Sequence, residues 1–172
     1  FHADMQGNLL VQQRVRALQA LLTQEEVTVI TTFDGLMDRL RPLKKVEDSI
    51  LCISQDSIVQ IDALAEKLSR LGYEREIQVE APGQFAVRGG IVDIFALTED
   101  APWRIEFWDD EVDSIRSFDV ESQRSMENLE EITIYPAAEP IPDEKEETVS
   151  FLDYFAPGKS LIFLDEPTRI LE

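Results

Sequence analysis

Sulfur and imidazole chemistry is almost missing from this sequence: Cys52 is the single cysteine and His2 the single histidine among 172 residues. One cysteine closes no internal disulfide, and one cysteine with one histidine cannot furnish the four nitrogen and sulfur ligands of a structural zinc site. This usage reads as reduced and intracellular, with the cytoplasm as the expected location. Long apolar runs are missing too. Apolar stretches such as 27–30 and 161–164 fall far below the roughly 20 residues a bilayer-spanning helix needs, and no membrane association is expected. Positive charge is scarce: 16 Lys and Arg stand against 35 Asp and Glu, a net charge of -19. The summed field repels phosphate backbones and anionic surfaces, so nucleic acid is not expected as a direct partner of this chain. Residue 1 is Phe with no basic and apolar leader, and a helical pattern only begins after Pro167. The expectation is a chain that begins and ends inside a larger protein.

What is present is ordinary for a globular chain, 44% apolar and 30% charged, enough to bury roughly 70% of the unfolded surface. Asn8 can cap a helix whose apolar residues Val11, Val15, Leu18 and Leu22 recur at helical spacing. Residues 27–32 follow as a β-branched strand, and Asp34 opens a short helix to Leu40 that Pro42 ends. Helix, strand, helix is a slice of a parallel α/β sheet. Residues 50–53 read as a strand, and 56–71 as a helix with core residues Ile61, Leu64 and Leu68, closed by Gly72. From Tyr73 to Tyr135 the texture changes to an antiparallel meander, with β runs at 77–80, 84–88, 91–95, 103–108 and 111–118 separated by Pro82-Gly83, Gly89-Gly90 and Asp109-Asp110. A Pro- and acid-rich linker is expected over 136–147. A short helix over 148–155 and a buried strand over 160–164 then resume the parallel texture. The fold expected is α/β: partial parallel α/β flanks, degenerate and nucleotide-binding-like, bracketing an inserted α+β module with an antiparallel sheet and one helix.

Several motifs mimic catalytic ones. Pro157-Gly158-Lys159-Ser160 resembles the end of a phosphate-binding loop, but Asp153 stands where the first glycine belongs, and Lys159 precedes a strand instead of opening a helix. A plain turn is the better reading. The apolar run ending in Asp165-Glu166 has the form of a magnesium-holding strand, yet nothing in the chain could hold a nucleotide beside it. Asp109, Asp110 and Glu111 read as solvated hairpin acids. His2 has no nucleophile or orienting acid at a triad spacing, Cys52 is expected to be packed and inert, and Gly89-Gly90 marks a bulge or tight bend. No catalytic residue, cofactor site, metal site or small-molecule ligand is assigned.

One constellation differs. In residues 103–108, alternation places Trp103, Ile105 and Phe107 toward the core, leaving Arg104, Glu106 and Trp108 on the other face. In residues 84–88, Phe85 and Val87 face inward and Arg88 outward with Gln84 and Ala86. Tryptophan beside arginine is the pair most enriched at binding hot spots. In so acidic a chain such a patch suits a partner with an acidic or apolar groove. Spacing alone leaves a second reading open, in which Trp108 covers the sheet edge and the arginines pair with Glu106 and Asp113.

The run Leu71-Gly72-Tyr73-Glu74-Arg75, the run from Val79 through Ala81-Pro82-Gly83-Gln84-Phe85-Ala86-Val87-Arg88-Gly89-Gly90 to Phe95, and the run from Pro102-Trp103-Arg104 through Trp108-Asp109-Asp110 to Arg116, then Phe118-Asp119 and Gln123-Arg124-Ser125, resemble the bacterial transcription-repair coupling factor family. The excision-repair protein UvrB shares the Gly-Tyr-Arg and Phe-x-Val-Arg-Gly signatures, but Gly90 and Gln123-Arg124-Ser125 look more like the coupling factor. The corresponding region of UvrB, or a vestigial nucleotide-binding scaffold, is the alternative. The resemblance implies three parts: 1–54, the end of the first half of a UvrB-like domain; 55–137, an inserted module that binds the damage-recognition protein UvrA; and 138–172, a linker and the start of the second half. It implies that Arg88, Arg104 and Trp108 contact UvrA, with Trp108 standing where the family usually has Phe. It implies no catalysis here, with the ATP-dependent DNA motor and the contacts to RNA polymerase and DNA lying in other parts of the parent. Asp165-Glu166 then looks like the relic of a magnesium motif.

Overall fold

In residues 84–118 large apolar side chains alternate with polar ones, and each apolar set needs a covering layer. The computed structural model describes residues 2–23, 26–137, 147–155, 159–163 and 165, with backbone only for 2–8. In it, β2 (Glu74–Arg75), β3 (Gln84–Arg88), β4 (Ile91–Ile94), β5 (Trp103–Trp108), β6 (Glu111–Phe118) and β7 (Ser125–Leu129) form one sheet in chain order. All pairings are antiparallel except the short β2–β3 contact. The inner face carries Phe85, Val92, Ile94, Trp103, Ile105, Val112 and Ile115, buried in one cluster with Leu64, Ala65 and Leu68 of helix α4 (Ile61–Arg70). Burying each such side chain contributes roughly 1.5–3 kcal/mol.

Helix α4 forms where the 3.6-residue spacing of Ile61, Leu64 and Leu68 makes one apolar stripe. Asp62 in its first turn and Lys67 and Arg70 in its last complement the helix dipole. It closes in a Schellman motif: the Tyr73 N–H donates to the Leu68 carbonyl (3.0 Å), the Gly72 N–H to that of Ser69 (3.1 Å), and Gly72 takes φ +89. Tyr73 is then buried, its hydroxyl donating to the Tyr135 carbonyl at 2.9 Å. The β3–β4 hairpin turns on two residues, Gly89 at φ +58 followed by Gly90, so Gly89-Gly90 is a tight turn.

Several expectations are corrected at the flanks. Helix α1 (His2–Thr23) begins before Asn8, which therefore does not cap it. Val15 of α1 joins the main core, and Arg16 reaches the Leu97 carbonyl and Asp100. Strand β1 (Leu51–Ser54) pairs antiparallel with β8 (Glu131–Ile134), not in a parallel sheet. Residues 27–32 form no ladder among the described residues, and Ile30 is exposed; a β-branched run becomes a strand only where another backbone pairs with it. Thr32 instead caps α2 (Phe33–Met37), accepting from the Gly35 N–H at 3.2 Å. Pro42 ends one segment but also sits at the N-cap of α3 (Leu43–Glu47). Residues 77–80 are not a strand: the Gln84 side chain accepts from the Glu80 and Ala81 N–H groups, both at 2.9 Å, and bends the chain there. The helix expected over 148–155 is a single 3₁₀ turn at Phe151–Tyr154 with a Ser150/Asp153 capping box. The buried strand expected at 160–164 is absent over 160–163, where Leu161, Ile162 and Phe163 are exposed. Most of the expected linker, 138–146, lies outside the described residues, as do Leu164 and Glu166. Its first residues are packed, the Ala137 N–H donating to the Leu71 carbonyl at 2.8 Å. The whole is mixed α/β with antiparallel sheets.

Candidate functional site

The registry of the sheet decides which outward residues are neighbours. Ala86, Asp93, Arg104, Arg116 and Asn128 lie side by side across β3 to β7, and Arg88, Ile91, Glu106 and Ser114 form the next row. Past an irregularity between Glu106 and Phe107, Trp108 pairs with Glu111, which is bridged on its other side by Ile58. Arg88, Arg104 and Trp108 therefore share one face, as alternation predicts. Ala86 does not remain exposed beside them: it is buried with Val79 and Phe95 in a small second cluster.

At the centre lies Asp93, 1% exposed. Arg104 meets it side-on, Nε donating to Oδ1 at 2.7 Å and Nη2 to Oδ2 at 2.8 Å. Arg88 reaches the same Oδ2 from the next row. A buried carboxylate is costly unless its lone pairs are taken up by charged donors, and here three charge-assisted hydrogen bonds do so. Arg104, with 13% of its side chain exposed, also donates from Nη2 to Gln123 Oε1 at 2.9 Å and lies over the Phe118 ring at 4.2 Å. The hydrogen bonding of Arg104 to the Asp93 carboxylate is the main cause holding the guanidinium above its ordinary range. Arg88 keeps 43% of its side chain exposed. Two arginines sharing one aspartate leave a local charge of +1 on a chain whose total is -19.

The competing reading of the patch fails in its particulars. Glu106 accepts its hydrogen bonds from Arg116 and from Ser114 (3.3 Å), and acts on Arg104 through its charge alone. Asp113 takes neither arginine; its backbone carbonyl accepts from the Gln55 side chain at 3.1 Å. Trp108 is 80% exposed and so shields no edge. Ile58, beyond Glu111 on the same face, is 72% exposed. Together they make a two-anchor apolar tip beside the arginines.

Asp93, Gln123 and Ile58 were not foreseen in these positions. Asp93 carried a legible signal, since an acid inside Ile91-Val92-Asp93-Ile94 falls at the outward position of its strand. Ile58 carried none, because its surroundings look like the first turn of a helix. The other candidates stay apart. Cys52 is exposed on β1, not packed, with its sulfur 3.9 Å from Thr133 Oγ1. Asp109 occupies the β5–β6 turn at φ +57. Lys159 and Asp165 are exposed, while Pro157 and Gly158 lie outside the described residues. Among the described residues no group of three or more His, Cys, Asp or Glu could hold a metal ion, and no helix is long and apolar enough to cross a membrane.

Comparison with known proteins places the chain in a family. The model of the UvrB interaction domain family matches residues 51–139, which takes in the whole sheet and α4. A transcription-repair-coupling factor of Bacillus subtilis is 41% identical over 143 residues, 82% of this chain and 12% of that protein. Those of Staphylococcus aureus and Staphylococcus haemolyticus are 39% and 40% identical over 81% and 78% of the chain. The chain thus spans about 12% of the length of the curated relatives it matches. With a family match over the sheet and α4, and coupling factors as its relatives over most of its length, the chain belongs to the UvrB interaction domain family.

Proposed function

We propose that this protein is the UvrA-recruiting module of a transcription-repair coupling factor, and that it binds UvrA through Arg88, Arg104 and Trp108. The observation that carries this reading is the outer sheet face, where a nearly bare tryptophan stands on the same side as two arginines organised around one buried aspartate. Exposed Trp with Arg is the composition of binding hot spots, and a small positive patch on an acidic body orients a partner that presents carboxylates. In this reading 55–137 is the inserted UvrA-binding module between two parts of a UvrB-like domain, 1–54 and 138–172. Catalysis, and contact with RNA polymerase and DNA, belong to the remainder of the longer proteins.

The test is a calorimetric titration of UvrA with the wild type, with Trp108→Ala and with Glu66→Ala on the exposed side of α4. The reading expects tight binding lost only in Trp108→Ala. Equal losses in both variants would defeat a localised patch, and binding unchanged by Trp108→Ala would move the surface elsewhere.

A further inference from the structure

Arg104 is held far more firmly than a surface contact needs. Asp93 takes its Nε and Nη2, Gln123 takes the second proton of Nη2, and the Phe118 ring lies against its guanidinium plane. No described residue bonds its remaining nitrogen, Nη1. Gln123 is itself placed with care. Its backbone sits at φ +58, a region non-glycine residues seldom occupy. Its N–H donates to the Asp119 carbonyl and its Nε2 to the Val120 carbonyl, both at 2.8 Å, which fixes the side-chain oxygen on Arg104. Arg88 is tethered by one nitrogen only, Nη2 on Asp93 Oδ2, leaving its Nε and Nη1 without a described partner. Two separate supports, one from the neighbouring strand and one from the β6–β7 loop, thus converge on one guanidinium, and Nη1 of Arg104 with Nε and Nη1 of Arg88 remain for a partner.

We infer that Asp93 and Gln123 are positioning residues for partner binding: they lock Arg104, and Asp93 steers Arg88, so that the unbonded nitrogens, Nη1 of Arg104 and Nε and Nη1 of Arg88, meet a carboxylate-bearing protein surface already oriented. The inference rests on the UvrA reading above. It separates from plain electrostatic attraction by sign. Asp93→Asn raises the local charge from +1 to +2, so attraction alone predicts tighter binding to an acidic partner. Preorganisation predicts weaker binding, because the freed guanidiniums must be ordered when the partner arrives.

The experiment follows association and dissociation of UvrA with the wild type, Asp93→Asn and Gln123→Ala, each checked for a cooperative thermal transition. Asp93→Asn should bind at least tenfold more weakly, chiefly through faster dissociation. Gln123→Ala, which alters no charge, should lose about threefold or more, again chiefly through faster dissociation with the association rate little changed. If Asp93→Asn does not fold, Gln123→Ala decides alone. Asp93→Asn binding as tightly as the wild type or tighter overturns the inference, as does wild-type binding by Gln123→Ala. Silence from the wild type overturns the UvrA reading itself, and the inference with it.

Discussion

Replacing Trp108 with alanine should separate binding from folding. Trp108 is 80% exposed, and an aromatic side chain of this size offers roughly 150–250 Å² for burial. About a fifth of that is already covered by the protein's own atoms, so truncation removes about 40 Å² of packing, or about 1 kcal/mol of stability at about 25 cal/mol per Å². The remaining 120–200 Å² or so would be worth about 3–5 kcal/mol if a partner covered all of it, less about 1 kcal/mol for ordering the side chain. The expected loss of binding is therefore about 2–4 kcal/mol, a rise in Kd of roughly 30- to 1,000-fold. Calorimetry against UvrA with a parallel urea denaturation measures both quantities on one sample. An unchanged Kd would refute the anchor role. A stability loss of several kcal/mol with proportionate loss of binding would show that Trp108 supports the fold instead.

Arg104→Ala should behave differently: it leaves buried Asp93 with Arg88 alone, and urea denaturation should show a loss near the lower end of the about 3–5 kcal/mol that follows breaking a buried pair, whereas a loss below about 1 kcal/mol would contradict the role given to Asp93. Tyr73→Phe should cost about 1–2 kcal/mol by orphaning the buried Tyr135 carbonyl. Burial, with Glu99 adding to it, raises the Tyr73 phenol above its ordinary value, so its contribution is complete below the unfolded phenol pKa of about 10 and fades as pH climbs beyond it; stability measured from pH 8 to 11 should decline less steeply in Tyr73→Phe. Cys52, exposed on β1, should react with a thiol reagent in the native protein, at a rate unchanged by mild stabilising salts, and protection until unfolding would contradict its placement. Ile58→Ser should weaken UvrA binding several-fold without lowering the melting temperature, and full-strength binding would restrict the apolar tip to Trp108.

The parts of the fold legible in the sequence are those whose pattern carries its own partner. Strands β3 to β6 pair in chain order, β3 with β4 and β5 with β6 through two-residue turns, so the alternation of Trp103, Ile105 and Phe107 with Arg104, Glu106 and Trp108 found its neighbours close by in the chain. Helix α4 was marked along its length by the Leu64 and Leu68 stripe and at its C-terminal end by Gly72, while its start, expected at 56, lies at Ile61. The segments that escaped depend on distant chain. Residues 27–32 and 160–163 have the composition of strands but find no ladder among the described residues. Residues 56–59 look like a helix start, yet they turn at Asp56 and pair with the edge of β6, the Val59 N–H donating to the Asp110 carbonyl at 2.7 Å. That capture sets Ile58 across Glu111 from Trp108. Cys52 lies between half-buried Leu51 and buried Ile53 on a two-stranded sheet with one open face, so its exposure follows from alternation once the sheet is known to be antiparallel. Arg104 was legible as an outward residue, but its anchoring by Asp93 and Gln123 needed the registry of three strands and the geometry of a loop.

In the proposed function the outer face of the sheet recruits UvrA. The double variant Arg88→Ala, Trp108→Ala tests this, because both side chains are substantially exposed and Arg104 remains to satisfy Asp93. Calorimetric titration of UvrA with the wild type and with this variant, matched for melting temperature, should show binding by the wild type and a loss of at least a hundredfold in the variant. Equal affinity for the two would overturn the assignment of this face.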